Sequence, residues 1–267
     1  MWPILASGNM KPQRTINIKD KLTELGIAPD EISLGDFDYI AELTAKRMRE
    51  PQSELWRKAG AFFKPNLERG ILIYTLIKKF QLDSYLEIGF GRGYSALCAA
   101  KAFAELGNDG RVFVIEPQVD DNHMQVLGNV FPPEWTSRIQ IARAKSEDAL
   151  PRMQDRYDLV YVDGDHTKQA VRGDYEGVKD LWTCFLLMDD YHLEPGADAN
   201  IQVNEALEDV ELPVDVKSDL LIMDRRIFLD DRQWTDEQVK YGQLLLTRES
   251  GVTDRNKEIA FKETWDW

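Results

Sequence analysis

The chain has 267 residues, 43% of them hydrophobic, enough to build a sizeable core and to exclude global disorder. Its formal net charge of −14 argues against docking on nucleic acid or an anionic membrane, and no apolar run is long enough to span a bilayer. The two cysteines, Cys98 and Cys184, read as small core hydrophobes, and the start of the chain lacks a signal-peptide pattern, so a reducing, cytoplasmic setting is expected.

Residues 1–82 carry helical signals and no strand alternation. Ile18, Leu22 and Leu25 share a helix face, with Gly26 as its stop. Asp36 is placed to cap a helix running to about Arg49, closed by Pro51. Asn66 is placed to cap another, on which Ile73, Ile77 and Phe80 share a face. The segment reads as a helical cap or dimerisation element, through which a homo-oligomer would form.

From Ser84 onward strands alternate with helices, the mark of a doubly wound, mostly parallel α/β sheet of Rossmann-like kind. Strands are expected over 84–88, 111–115, 138–142, 157–162 and 185–188, and helices over 95–103, 167–182 and 199–207. The β-rich pieces 220–229 and 242–247 read as an antiparallel closing pair. This core spans 83–250, and 251–267 reads as a polar tail, with fraying expected from Glu249.

The densest signal is Glu87-Ile88-Gly89-Phe90-Gly91-Arg92-Gly93-Tyr94. A buried strand, a glycine-rich turn and a helix start follow one another, and such a turn lets backbone approach a ligand that a Cβ would keep away. The dinucleotide fingerprint would need a third glycine at position 94, where Tyr94 stands. An acid just before the glycines suits a ligand carrying positive charge rather than a pyrophosphate.

Ligands of open α/β sheets bind beyond the carboxyl ends of the strands. The second strand ends in Glu116, placed to accept the two hydroxyls of a ribose. After the third come Ser146 and Glu147, candidates for contact with adenine or for capping the next helix. The fourth ends in Asp163-Gly164-Asp165-His166 and the fifth in Asp189-Asp190-Tyr191-His192, two of the chain's three histidines. Parallel neighbours bring these acids to one rim, where they repel unless a cation or protons intervene. Oxygen ligation of that kind suits a hard ion such as Mg2+.

Together, Glu87-x-Gly89-x-Gly91-x-Gly93, Glu116, the 162–166 run Val-Asp-Gly-Asp-His and Asp189-Asp190-Tyr191 resemble the class I methyltransferases that use S-adenosyl-L-methionine (SAM). The group they resemble includes the macrocin-type and other sugar and antibiotic O-methyltransferases. The resemblance covers about residues 83–192 and implies SAM contacts from Glu87, the three glycines, Glu116, Ser146, Glu147 and Asp163. It also implies Mg2+ held by Asp163, Asp189 and Asp190, with His166 first and Asp165 second as base. One departure is that relatives place a Pro-Gly-Gly turn before the fifth strand, where this chain has Leu181-Trp182-Thr183-Cys184. The implied activity is O-methylation of a small-molecule acceptor. Its rival is a catalytically silent SAM-binding protein that works through the N-terminal part.

Overall fold

The computed structural model describes residues 8–27, 67–91, 93–119, 121, 125, 127, 128, 131–192, 199–222 and 241–253. Their strands are β1 (Gly8–Asn9), β2 (Arg14–Asn17), β3 (Ser84–Ile88), β4 (Arg111–Ile115), β5 (Ile139–Ala142), β6 (Tyr157–Val162), β7 (Trp182–His192), β8 (Glu211–Leu212), β9 (Val216–Ile222) and β10 (Tyr241–Arg248). Their helices are α1 (Ile18–Glu24), α2 (Leu67–Phe80), α3 (Tyr94–Leu106), α4 (Pro133–Thr136), α5 (Ser146–Ala149), α6 (Lys168–Val178), α7 (Val203–Leu207) and α8 (Glu249–Val252).

The main sheet runs β2-β9-β10-β7-β6-β3-β4-β5, and among the described residues β10 alone is antiparallel to its neighbours within it. The expected parallel core and its antiparallel closing pair are therefore both present. Strand side chains alternate between two apolar layers. Tyr85, Val112, Val114, Leu159, Tyr161, Phe185 and Leu187 pack with α1, α2 and α3. Leu86, Ile88, Val160, Val162, Leu186 and Met188 pack with α6 and α7 on the other face. Strands covered on both faces need continuous apolar runs, which is why β6 could be read directly from sequence.

Chain order places the site. The chain leaves β3 toward β4 and β5, then crosses back to β6 and β7 on the other side of β3. The carboxyl ends of β3 and β6 thus flank the point where strand order reverses, the crevice in which such sheets bind ligands.

Several expectations need correction. Residues 1–82 are not wholly helical: β1 pairs with β8, and β2 extends the main sheet beside β9. Both are short, and Arg14 and Thr15 face solvent, so no apolar alternation advertises them. The helix at Ile18 does form, with the Asn17 side chain accepting from the Lys19 N–H and Gly26 in the left-handed region beyond its end. Asn66 and the helix expected from Asp36 to Arg49 lie outside the described residues. β7 begins at Trp182 and continues to His192, so Asp189 and Asp190 belong to the strand rather than to a loop after it. Pairing with β6 on one side and β10 on the other carries it past the expected Phe185–Met188. The helix before it stops at Val178. Helix α7 starts at Val203 rather than Ala199, and β9 occupies Val216–Ile222. The expected frayed end at Glu249 is instead helix α8, whose Gly251 carbonyl accepts from Cys184 Sγ at 3.2 Å. Both cysteines are buried and unlinked. No helix among the described residues is long and apolar enough to cross a membrane.

Candidate active site

The turn after β3 is built around glycines in the left-handed region, where other residues are strained. Gly89 has φ +87°, its N–H donates to the Ile115 carbonyl at 3.0 Å, and a Cβ there would overlap the Asp163 carbonyl oxygen. That close approach sets the end of β6 against the turn. At Gly91, φ +50°, an added Cβ would meet nothing within 4 Å among the described residues. The open side of the turn is therefore at Gly91, while Gly93 stands at the cap position of helix α3.

Glu116 is half-buried at the end of β4, and its carboxylate accepts from the Phe90 N–H at 3.1 Å and the Gln118 N–H at 2.8 Å. It is thus anchored to the glycine turn. Ser146 opens α5 and Lys145 stands at its cap position, which corrects the capping role for Ser146. The Ser146 hydroxyl bonds Asp174, whose carboxyl burial pushes up to about 6. Glu147 is exposed, 3.2 Å from Lys145.

Glu87 lies one layer deeper. It is buried, accepting from the Tyr85 hydroxyl at 2.8 Å and the Ser95 hydroxyl at 2.6 Å. Burial pushes its carboxyl up to about 8, against those two hydroxyls. With a folded value above the ordinary 4.5, stability is fullest below that value and declines as pH rises through about 8. Replacing Glu87 by Gln should flatten this slope, so the variant's melting temperature gains on the native protein between about pH 5 and pH 8 and levels off above that. Thermal melts between about pH 5 and pH 9 test this, and parallel curves for the two proteins would refute it.

The acid rim follows from strand alternation. Tyr161, Asp163 and Asp189 fall on the α2–α3 side of the sheet, and α2 sends Arg69 into it. Arg69 donates to Asp163 Oδ2 at 3.0 Å and forms an ion pair with Asp189. The Tyr161 hydroxyl lies 3.0 Å from an oxygen of each of these acids. Gln243 Nε2 donates to the other Asp189 oxygen at 3.2 Å.

Asp190 would face the opposite layer in a regular strand. Instead Asp189 and Asp190 together oppose the single residue Gln243, a β-bulge, and Asp190 has φ +52°. Bulges re-aim side chains, and a left-handed aspartate is strained. Here the bulge brings the Asp190 carboxylate to 3.3 Å from His166 Nδ1, while His166 Nε2 lies 3.6 Å from Asp163. Asp163, against its burial, is held below the usual carboxylate range by Arg69 and His166. Burial and the charge of Asp163 push Asp190 up. Asp189 is pushed up by burial, with Arg69 opposing. The bond to Asp163 and the charge of Asp190 raise His166.

The expected site residues do not all converge. One ligand atom each from Asp163, His166 and Asp190 lie within 4.8 Å of one another, a donor set that fits a divalent ion with water completing its shell. Asp189 is instead engaged by Arg69, Tyr161 and Gln243. Asp165 points away to the start of α6, its Oδ1 accepting from the Thr167 N–H at 2.9 Å. His192 is buried, with its backbone N–H and C=O both bonded to the Asn204 amide. Arg69, Tyr161 and Gln243 escaped the sequence reading. For Tyr161 and Gln243 the one signal is a polar group beside apolar residues; Arg69 has none.

Residues 86–191, from β3 to the end of the β7 acid pair, match a family model described as a methyltransferase domain. No curated protein sequence matches the chain. Among solved structures it is similar to the O-methyltransferase TomG from Streptomyces achromogenes, involved in tomaymycin synthesis and solved with SAM. That likeness has a TM-score of 0.53 and 19% identity over 78% of this chain and 95% of that one. An O-methyltransferase from Bacillus cereus in complex with SAH gives a TM-score of 0.53 and 17% identity over 81% of this chain and 100% of that one. Sheet order, glycine turn and matched segment agree: residues 86–191 are similar to a methyltransferase domain, on a fold shared with those two structures.

Proposed function

We propose that the chain transfers the methyl group of SAM to a hydroxyl of a small molecule, a sugar, a glycosylated compound or an aromatic. The observation that carries this is the meeting of the open glycine turn and the acid rim at one crevice, between the carboxyl ends of β3 and β6. Glu116, beside the turn, is assigned the ribose, Ser146 and Glu147 the adenine, and Glu87 with Asp163 the cationic end of the cofactor. Methyl transfer from a sulfonium is an in-line displacement, so the protein's task is to align the acceptor oxygen with the methyl carbon and to take its proton. His166 is assigned that proton, with Asp165 as second choice. A divalent ion, Mg2+ in the first instance, is assigned to Asp163 and Asp190, with Asp189 behind them; when bound it makes the acceptor hydroxyl more acidic. The acidic charge and two buried, unlinked cysteines support a cytoplasmic enzyme working away from nucleic acid and membranes. Residues 1–82 are assigned to covering the acceptor or joining two copies.

Calorimetry with SAM, SAH and NAD, followed by transfer of a labelled methyl group to a panel of sugar and aromatic hydroxyls, tests the reading. SAM and SAH should bind, and NAD should not. Binding of NAD in their place would defeat the cofactor assignment. SAM binding with no methyl transfer to any acceptor would favour the silent SAM-binding protein.

A further inference from the structure

Arg69 comes from α2, outside every strand-end motif, yet its guanidinium bridges carboxylates on two neighbouring strands, Asp163 after β6 and Asp189 in β7. The face of Tyr161 lies 5.6 Å from its central carbon. A planar fork of donors suits this double role, and its charge is permanent. Gly70 helps set its depth, since a Cβ there would overlap Tyr94 and Cys98 of α3, so the glycine lets α2 approach closely. The rim therefore carries a cation of its own. A divalent ion that takes Asp163 through Oδ1, the oxygen on the His166 side, shares that carboxylate with the guanidinium on Oδ2, and two cations at such range repel.

We propose that Arg69 is the resident cation of the rim, a positioning residue that competes with a divalent ion for Asp163 and Asp189. An ion on Asp163 Oδ1 then binds weakly while Arg69 holds Oδ2. Strand alternation turns Asp163 and Asp189 toward the guanidinium, whereas the bulge turns Asp190 toward His166. The inference rests on reading this rim as the ion and acceptor end of the methyl-transfer site.

The test is Mn2+ binding followed by electron paramagnetic resonance, on metal-stripped protein holding SAH, which checks the cofactor site in the same samples. Arg69→Met keeps an apolar stem against the Tyr161 ring and removes the charge. It should bind Mn2+ about tenfold or more tightly than the native protein, while Arg69→Lys, still cationic, stays near native affinity. Unchanged or weaker binding by Arg69→Met overturns the proposal. So does Arg69→Lys binding as tightly as Arg69→Met, or no Mn2+ binding by any of the three. The unmodified protein supplies an independent check if Arg69→Met does not fold. Its Arg69 guanidinium N–H resonance must shift as diamagnetic Mg2+ is added, and a resonance that stays fixed while the ion binds overturns the proposal. Failure of the native protein to bind SAH would instead count against the SAM-dependent reading.

Discussion

Replacing His166 by Ala should lower turnover by ~10²–10⁴-fold, the usual contribution of a general base, while SAH binding stays nearly unchanged. The separation follows from position. His166 sits among Asp163 and Asp190 at the rim, whereas the glycine turn and Glu116 lie on the side of the crevice proposed for the cofactor. The same neighbours predict a pH signature. They favour the imidazolium, so the neutral base becomes available only above the ordinary value of 6.5, and turnover should rise with pH through a midpoint above it. His166→Ala should abolish that rise. Asp165→Asn should change little beyond the start of α6, because its carboxylate serves the Thr167 N–H. Stopped-turnover rates for the two variants against one acceptor decide between them. Loss of activity in Asp165→Asn with retention in His166→Ala would reverse the assignment.

What could be read in advance, and what could not, divides by the range of the interaction. Strands β3, β4 and β6 are short apolar runs bounded by turn residues, and local pattern defines them. The glycine turn is equally local, since its φ values are a property of a few consecutive residues. Asp163 and Asp189 could be placed on one side of the sheet by counting alternate positions. Three other features depend on partners far along the chain. β2 exists because β9 offers it a free edge about two hundred residues later. The bulge at Asp189–Asp190 depends on a register set by Gly242 and Leu244 of β10. Arg69 meets Asp163 across 94 residues, and nothing near Arg69 marks it as more than a surface cation. The acid clusters called for a compensating charge, which the sequence reading assigned to a metal. Most of the side proposed for the cofactor is thus local in sequence, and the side proposed for the acceptor is tertiary.

The glycine turn provides the sharpest separation of stability from function. Gly89→Ala should cost about 3 kcal/mol or more, because strain at φ +87° adds to overlap with the Asp163 carbonyl, which is fixed backbone. The clash would push the end of β6 away from β3, so the acid rim and the cofactor turn would be lost together. Gly91→Ala meets no atom of the described residues and carries only conformational strain, about 1 kcal/mol. Its methyl group nevertheless occupies the space proposed for the cofactor, so SAM affinity should drop by about tenfold or more, at least 1.4 kcal/mol. Thermal melting and SAM calorimetry on the two variants should therefore diverge: Gly89→Ala melts early, whereas Gly91→Ala melts nearly as the native protein and binds poorly. Native SAM affinity in Gly91→Ala would mean that the open side of the turn is not where the cofactor lies. The crevice between β3 and β6 would then have to be filled from its other side, past Glu116.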